Sequence, residues 1–251
     1  MLVHLLHLGR VPYTQGLEIQ RRVVEARKQQ LIGDTLLLLE HPPVITLGRN
    51  ATRANILASS NYLAQRGVNV YETNRGGDVT YHGPGQLVGY PIVDLRGDLP
   101  GKRGSYLGPV DFVRLLEEVL IRTCGEFGVL AQRICKRTGV WTVAGGRIAE
   151  KKIAAIGVHV SQAITSHGFA LNVSTDLRDF DWIVPCGIAD RKVTSLDLEV
   201  SGILSAQQIP TMENAFNATA RNFGRIFDRQ MLLTSSLDEL LPAAILTTGA
   251  V

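Results

Sequence analysis

The sequence predicts a single α/β domain of the α+β type, with a mixed β-sheet and flanking helices. Its 251 residues suit one large α/β domain or two small ones, and 45% apolar with 20% charged residues is typical of an ordinary soluble globule. Strand-like runs come in groups interrupted by a few helices, whereas strict alternation would favour a Rossmann or barrel fold. Because no linker interrupts the pattern, we expect one domain over residues 1–229 and a C-terminal tail of unassigned role over residues 230–251.

The first half of the chain contains one predicted helix and a pair of predicted strands. Apolar residues at heptad-like spacing predict a surface helix over residues 13–31. Short apolar runs at 36–39 and 44–47 then predict two strands joined by a stiff turn, because Glu-His-Pro-Pro separates them. The segment 96–108 is rich in glycine, proline and charge, which predicts a long mobile loop.

The second half contains two predicted helices around a group of strands. Apolar residues share one helical face over residues 112–127, after Pro109, and over residues 212–226, after Pro210. Three β-rich segments follow one another between these helices, at residues 140–143, 153–160 and 164–173. Gly145-Gly146 suits a turn between the first two, so we expect a consecutive antiparallel group.

Cysteine count and charge indicate the setting of the protein. The three cysteines, Cys124, Cys135 and Cys186, lack the paired short spacing of a disulfide framework or a zinc site. We therefore expect a reducing, cytoplasmic location and no bound metal. The longest apolar run is too short for a membrane span, and the first residues lack the basic segment of a signal peptide. A net charge of +3 is too small to indicate nucleic-acid binding, although it suits an acidic protein partner.

The most informative stretch runs from Arg75 to Gln86 and reads RGGDVTYHGPGQ. Glycines and a proline permit backbone geometry that other residues resist, so a ligand can approach the main chain closely. A surface turn needs only one or two glycines. Because apolar, strand-like runs flank the stretch, it indicates a binding loop more than a simple turn.

Two residues suggest covalent chemistry. Cys186 lies between Pro185 and Gly187, a context that suits a thiol at the floor of a cleft with an amide donor beside it. Such a thiol needs a group that favours the thiolate, and Lys152, at the start of a small and apolar strand, is a candidate. Strand alternation would direct Lys151 and Lys152 to opposite faces. Cys124, within a predicted helix, is better interpreted as a small buried hydrophobe.

Three histidines compete for the role of base. His82 lies inside the glycine-rich stretch and is the first choice to face a substrate, while His159 and His167 suit a strand face and a turn. A Cys-His-Asp protease with Cys186, His82 and Asp78 is formally possible, but the local signatures of such proteases are absent.

Four segments, in this order, resemble the lipoyl(octanoyl) transferase family. They are RGGDVTYHGPGQL at 75–87, KIAAIG at 152–157, HGFALN at 167–172 and PCGI at 185–188. They span about the middle half of the chain and show no departure within the motifs. The resemblance implies a single-domain fold similar to the catalytic domains of biotin and lipoate protein ligases, with residues 1–229 as the octanoyltransferase catalytic domain.

The resemblance also implies an activity and its partners. An octanoyl group would pass from octanoyl-acyl carrier protein to a specific lysine of a lipoyl domain, the first step in making protein-bound lipoate. The acceptors would be lipoyl domains of 2-oxoacid dehydrogenase complexes and the glycine cleavage H protein. No cofactor, nucleic acid or membrane is implied.

By the same resemblance, Cys186 would carry an acyl-thioester intermediate and Lys152 would lower the pKa of that thiol. The substrate pocket would be lined by residues from the glycine-rich stretch and from two later strands: Arg75, Gly76, Gly77, Asp78, Val79, Thr80, Tyr81, His82, Ala155, Ile156, Gly157, Gly168, Phe169 and Ala170.

Three other functions stay open from the sequence. An ATP-dependent lipoate or biotin-type protein ligase also uses a glycine-rich loop and a strand lysine, but it does not require Cys186. A non-catalytic module that binds acyl chains or acyl carrier protein would make the reactive groups incidental. A cysteine hydrolase would release free acid without an acceptor.

Overall fold

The computed structural model describes residues 1–101, 106–143, 149–185, 192–201 and 210–242. The strands of these residues are β1 Leu2–Arg10, β2 Asp34–Glu40, β3 Val44–Leu47, β4 Asn69–Glu72, β5 Val79–His82, β6 Gln86–Ile92, β7 Ala131–Ile134, β8 Arg137–Thr142, β9 Lys152–Ser161, β10 Ile164–Asn172 and β11 Gln230–Leu233. The helices are α1 Tyr13–Lys28, α2 Ser60–Gln65, α3 Pro109–Glu126, α4 Leu196–Val200, α5 Met212–Phe227 and α6 Leu237–Leu240, with 3-10 helices at Arg53–Asn55 and Leu177–Trp182.

A large mixed sheet forms the centre of the fold. Within the described residues its strand order is β11-β1-β2-β6-β10-β9-β8-β7. The pairs β11–β1 and β1–β2 are parallel, and the others are antiparallel. This arrangement confirms the predicted mixed sheet with flanking helices and the antiparallel group formed by β8, β9 and β10.

Both faces of the large sheet are covered. In β2 the alternating residues Leu36 and Leu38 join the core beneath α3 and α5, whereas Leu37 and Leu39 join the core beneath α1. A strand buried on both faces is a continuous apolar run, which explains the unbroken leucines of this segment.

A small second sheet, in the order β4-β3-β5, lies beside the large one. Its own core packs Ile45 and Tyr81 against α2 and the 3-10 helix Leu177–Trp182. The prediction of two strands at 36–39 and 44–47 is confirmed, but the Pro-Pro turn leads the chain from one sheet into the other rather than into a hairpin.

The glycine-rich stretch is only partly a loop. Its centre, Val79–His82, is the strand β5, which pairs antiparallel with β3. The alternation of Val79 and Tyr81 with Thr80 and His82 fits a strand, but the surrounding glycines concealed it. The strands β1 and β11 were not assigned from the sequence either, because long-range pairing creates them.

The three long predicted helices are confirmed, and α1 ends at Lys28 rather than at residue 31. Beyond residue 229, β11 adds to the edge of the large sheet and Leu240 and Leu241 enter the core beside α1, so residues 230–242 are part of the same fold. The predicted turn at Gly145-Gly146 and part of the predicted loop at 96–108 lie outside the described residues. Among the residues that the structure describes, every helix is too short or too polar to cross a membrane.

We expect Gly168→Ala to lower the free energy of unfolding by roughly 1–3 kcal/mol, because the added Cβ would lie 2.1 Å from the backbone oxygen of Gly89. Gly125→Ala is the matched control, since nothing lies within 4 Å of its Cβ position on α3. That helical change should stabilise the protein by about 0.5–1 kcal/mol. Urea unfolding of both variants provides the measurement, and equal effects would contradict the close strand contact.

Candidate active site

A cavity lies between the small sheet and the β6–β10–β9 part of the large sheet. It holds about 490 Å³ of space between the protein atoms, part of which is open to solvent. Side chains from both sheets and from α1 line it: Tyr13, Arg75, Gly77, Asp78, Thr80, His82, Val88, Tyr90, Ala155, Ile156, Gly157, His167, Gly168, Phe169 and Ala170. The structure therefore brings together eleven of the fourteen residues predicted for the substrate pocket.

Three predicted pocket residues lie elsewhere. Val79 and Tyr81 point from β5 into the core of the small sheet, where Tyr81 donates a hydrogen bond to Asp179. The third, Gly76, donates its N–H to the carbonyl of Val158 and joins the stretch to β9. Alternation along β5 explains the first two, because only Thr80 and His82 share the face that meets the cavity.

Glycines on neighbouring strands create the space for the cavity. Gly157 of β9 and Gly168 of β10 are directly paired, and Gly89 of β6 is paired with Phe169. A Cβ on Gly157 would lie 2.6 Å from the Gly76 oxygen, and one on Gly89 would lie 2.1 Å from the Phe169 ring. The absence of a Cβ on Gly157 lets the glycine-rich stretch lie against the sheet, and its absence on Gly89 makes room for the Phe169 ring.

Arg75 is a buried structural anchor of that stretch. Its Nη2 donates to the carbonyl oxygen of Thr46 at 2.7 Å, and its Nε donates to the Thr46 hydroxyl at 3.2 Å. Its Nη1 donates to the Gly76 oxygen at 3.0 Å. A guanidinium with several donors can hold two segments at once, so Arg75 fixes β3 and the glycine-rich stretch while contributing positive charge to the cavity wall.

A chain of hydrogen bonds leads from His82 to the other end of the site. Asn172 Nδ2 donates to the Thr194 carbonyl, so its Oδ1 accepts from Gln86 Nε2, at 2.9 Å. The Gln86 Oε1 then accepts from His82 Nδ1 at 2.7 Å, which leaves His82 Nε2 as an acceptor. The Thr194 N–H donates to the Lys152 carbonyl, so the network ends at the backbone of the candidate catalytic lysine.

Lys152 is buried, with 6% of its surface exposed, and its Nζ lies 5.1 Å from the centre of the Trp141 ring. It lines a smaller cavity of about 280 Å³ that shares Thr80, Ala155 and Ala170 with the larger one. Lys151, by contrast, pairs with Glu199 at 2.6 Å. The two lysines therefore diverge, as strand alternation predicts.

Pro185 lines the same small cavity as Lys152. Cys186, which follows Pro185 in the sequence, lies outside the described residues. The segment that leads to it is connected to the glycine-rich stretch, because Val184 N–H donates to the Asn55 carbonyl and Asn55 Nδ2 donates to Asp78 at 2.6 Å. Asp78 is thus a positioning residue as well as part of the cavity wall.

An aromatic wall, which sequence analysis missed, completes the cavity. Tyr13 of α1 stacks on His82, and Tyr90 donates its hydroxyl proton to His41 Nε2 at 2.6 Å. His41 Nδ1 in turn donates to the Val11 carbonyl. These residues come from distant elements and carry no local motif, so only the tertiary structure brings them together.

Three histidines around the cavity are neutral. Burial lowers the pKa of His82 to about 3 and the pKa of His41 to about 4. Burial, with the charge of Arg75, lowers the pKa of His167 to about 4. The walls therefore present uncharged imidazoles, which suits an apolar ligand. His159 is outside this cavity and faces a separate groove beside α1.

Comparison with known proteins identifies the family. Residues 12–219 match the lipoyl protein ligase A/B catalytic domain. Over 242 residues the chain is 63% identical to an octanoyltransferase of Acidobacterium capsulatum, a match that covers 96% of this chain and 97% of that relative. The chain belongs to the octanoyltransferase family. It is also 53% identical over 241 residues to an octanoyltransferase of Koribacter versatilis, with 96% and 90% of the two chains covered.

Solved structures show that the fold is shared more widely within lipoylation proteins. A bipartite lipoate protein ligase from Thermoplasma acidophilum superposes with a TM-score of 0.70 at 17% identity, over 95% of this chain and 89% of that one. A lipoate-protein ligase A bound with ATP gives 0.68 at 15% identity, over 95% and 91%. At these identities the likeness concerns the fold alone.

We expect the protein to lose stability as the pH falls from about 6.5 towards 4. The unfolded chain binds protons at its histidines with a pKa near ~6.5, while His41, His82 and His167 stay neutral in the fold. The folded state is therefore most favoured above about pH 6.5, where histidines of the unfolded chain are also neutral. Urea unfolding at about pH 5 and about pH 6.5 measures how the free energy of unfolding depends on pH. His82→Gln should reduce the number of protons taken up on unfolding by about one. An NMR titration midpoint near ~6.5 for His82 would contradict the burial argument.

Proposed function

We propose that this protein transfers an octanoyl group from octanoyl-acyl carrier protein to a lysine of a lipoyl domain, with Cys186 as the covalent carrier. The observation that supports this most is a cavity with apolar wall residues, among them Val88, Ile156 and Phe169, that shares Thr80, Ala155 and Ala170 with the smaller cavity lined by both Lys152 and Pro185. An acyl chain and a reactive thiol need this arrangement, with the apolar tail on one side and the charged group on the other. The identity to proteins called octanoyltransferases supports the same activity.

The first step exchanges one thioester for another. The Cys186 thiolate attacks the carbonyl carbon of the carrier-bound acyl group, a new C–S bond forms, and the bond to the carrier's sulfur breaks. The carrier leaves as a thiolate and takes up a proton. Because the two thioesters are similar in energy, this step needs a positioned thiolate and no ATP.

Lys152 is the residue we assign to thiolate formation. An ammonium near the thiol favours its charged form, and burial strengthens the attraction because water screens the charges less. Lys152 is held at the start of β9 by its own backbone. Its N–H donates to the Lys192 carbonyl, and its carbonyl accepts from the Thr194 N–H. Gly139 provides the room, since a Cβ there would lie 2.9 Å from the Lys152 Cε.

The second step forms the amide. The acceptor lysine must lose a proton before its amine attacks the enzyme thioester, and the Cys186 sulfur then leaves as a thiolate. We assign proton acceptance to Lys152, because the acylated sulfur no longer carries the negative charge that holds its proton. The step runs downhill from a thioester to an amide.

The acyl chain would occupy the larger cavity, between Val88, Ile156 and Phe169. Six methylenes are worth roughly 5 kcal/mol when fully buried, at about 0.8 kcal/mol each, before the entropy cost of binding. The neutral state of His82 and His167 limits the cost of placing them beside a hydrocarbon.

Incubation with octanoyl-acyl carrier protein should add one octanoyl mass to the protein, and Cys186→Ala should abolish this addition. Cys135→Ala is the matched control for an exposed free thiol and should acylate normally. Cys124 is no competitor, because burial raises the pKa of its thiol to about 12. Intact-mass spectrometry measures each species. Transfer to the lipoyl domain by Cys186→Ala would overturn the covalent step, and ligation of free octanoate with ATP would favour a ligase.

Lys152→Ala should shift the pH profile of Cys186 alkylation upward by about one pH unit or more, because the thiolate loses its neighbouring charge. Lys151→Ala should leave the profile unchanged, since its ammonium pairs with Glu199 on the other side of the strand. The rate of iodoacetamide labelling at Cys186, followed by peptide mass spectrometry from pH 5 to pH 10, checks both variants. Coincident profiles for the two lysine variants would remove this role from Lys152.

A further inference from the structure

One side chain, His167, separates the larger cavity from a second space. It belongs to the lining of that cavity and also to the lining of a groove of about 720 Å³ between α1 and the β9–β10 hairpin. Other residues of the groove include Leu17, Gln20, Val24, Asn74, His159 and Ile164. The imidazole of His167 is therefore a partition between the cavity and the groove.

Several contacts hold this partition in place. His167 Nε2 donates to Asn74 Oδ1 at 2.6 Å, and the His167 backbone N–H donates to Gln20 Oε1 at 2.7 Å. The residue is 6% exposed, and its backbone has a φ of +55° within β10. A non-glycine residue rarely adopts this left-handed conformation, so the surrounding contacts fix both the backbone and the ring.

The partition lies about one octanoyl length from the part of the cavity wall that is shared with the Lys152 cavity. Ala155 is shared with the small cavity of Lys152, and Val158, three residues further along β9, is paired with His167. Three residues of strand span about 10 Å. An eight-carbon chain has seven C–C bonds of about 1.5 Å, which reach at most about 10 Å.

The groove beyond the partition is a poor place for additional methylenes. Gln20 is buried, and its Nε2 has no hydrogen-bond partner within the part of the chain that the structure describes. Asn74, Ser161 and Ser166 add further polar groups. A longer chain would have to displace the His167 ring from Asn74, and buried polar groups left unpaired are costly.

From this geometry we propose that His167 sets the upper limit of acyl chain length. This inference rests on the proposed function and adds a specificity-determining residue to it. A shorter chain loses only buried methylenes, about fourfold in affinity for each. A longer chain meets the ring and disrupts its hydrogen bonds, so selection is asymmetric and falls more steeply above eight carbons than below.

The test uses an equimolar pool of acyl carrier proteins with chains of six to fourteen carbons. Mass spectrometry of the lipoyl domain gives the distribution of the acyl groups transferred. His167→Gly removes the ring, tolerates the positive φ and keeps the backbone N–H that binds Gln20. We expect the ratio of twelve-carbon to eight-carbon product to rise about tenfold or more, because the longer chain no longer has to break the hydrogen bond between the ring and Asn74.

A second variant and a control complete the design. His167→Asn suits the left-handed backbone and is shorter than histidine, so it should produce a smaller shift in the same direction. Ser166→Ala changes a neighbouring residue that faces only the groove, and its distribution should match that of the unaltered protein.

An unchanged distribution of transferred acyl groups, in whichever His167 variant folds, would overturn the proposal. An equal loss of transfer at every chain length would also overturn it, because that result indicates a purely structural role for His167. Failure of the unaltered protein to transfer any acyl group would contradict the proposed function, and this inference with it. If the His167 variants transfer eight-carbon groups normally and their distribution of chain lengths is unshifted, the role of His167 is contradicted while the proposed function stands.

Discussion

The antiparallel pairing of β9 with β10 is the interaction on which the site depends. Its register places Gly157 opposite Gly168 and Ala155 opposite Ala170, so the small residues of both strands form one open patch. Lys152 lies at one end of this patch and His167 at the other. Because a strand rises by a constant distance for each residue, the position of His167 in this register fixes how far it lies along the strand from Ala155.

The second requirement is that buried polar groups be satisfied. Arg75 binds the backbone and hydroxyl of Thr46, and His82 is connected through Gln86 and Asn172 to the segment beside Lys152. Each bond prevents an unpaired buried group, which would cost about 1–3 kcal/mol. The same bonds define tautomers and rotamers, so the network that stabilises the fold also fixes the walls of the cavity.

The fold alone leaves the chemistry open. Lipoate protein ligases share the architecture at 15% and 17% identity, and one of them binds ATP. Function depends on the site that a fold carries rather than on the fold. In this chain Cys186 directly follows Pro185, a residue of the Lys152 cavity, and the proposed transfer chemistry depends on that thiol. High identity to octanoyltransferases along almost the whole chain favours the same interpretation.

The sequence by itself determined the fold class, the three long helices, the antiparallel strand group and the family. These depend on local periodicity or on motifs that are contiguous in the chain. Only the tertiary structure decided that Val79–His82 is a strand, that Tyr81 faces away from the cavity, and that Tyr13 and Tyr90 complete its wall, with His41 bonded to Tyr90. The tertiary structure also decided that Gln230–Leu233 is an edge strand, paired with β1. The physical reason is that strand pairing and cavity walls arise from contacts between residues far apart in the chain, which local patterns do not encode.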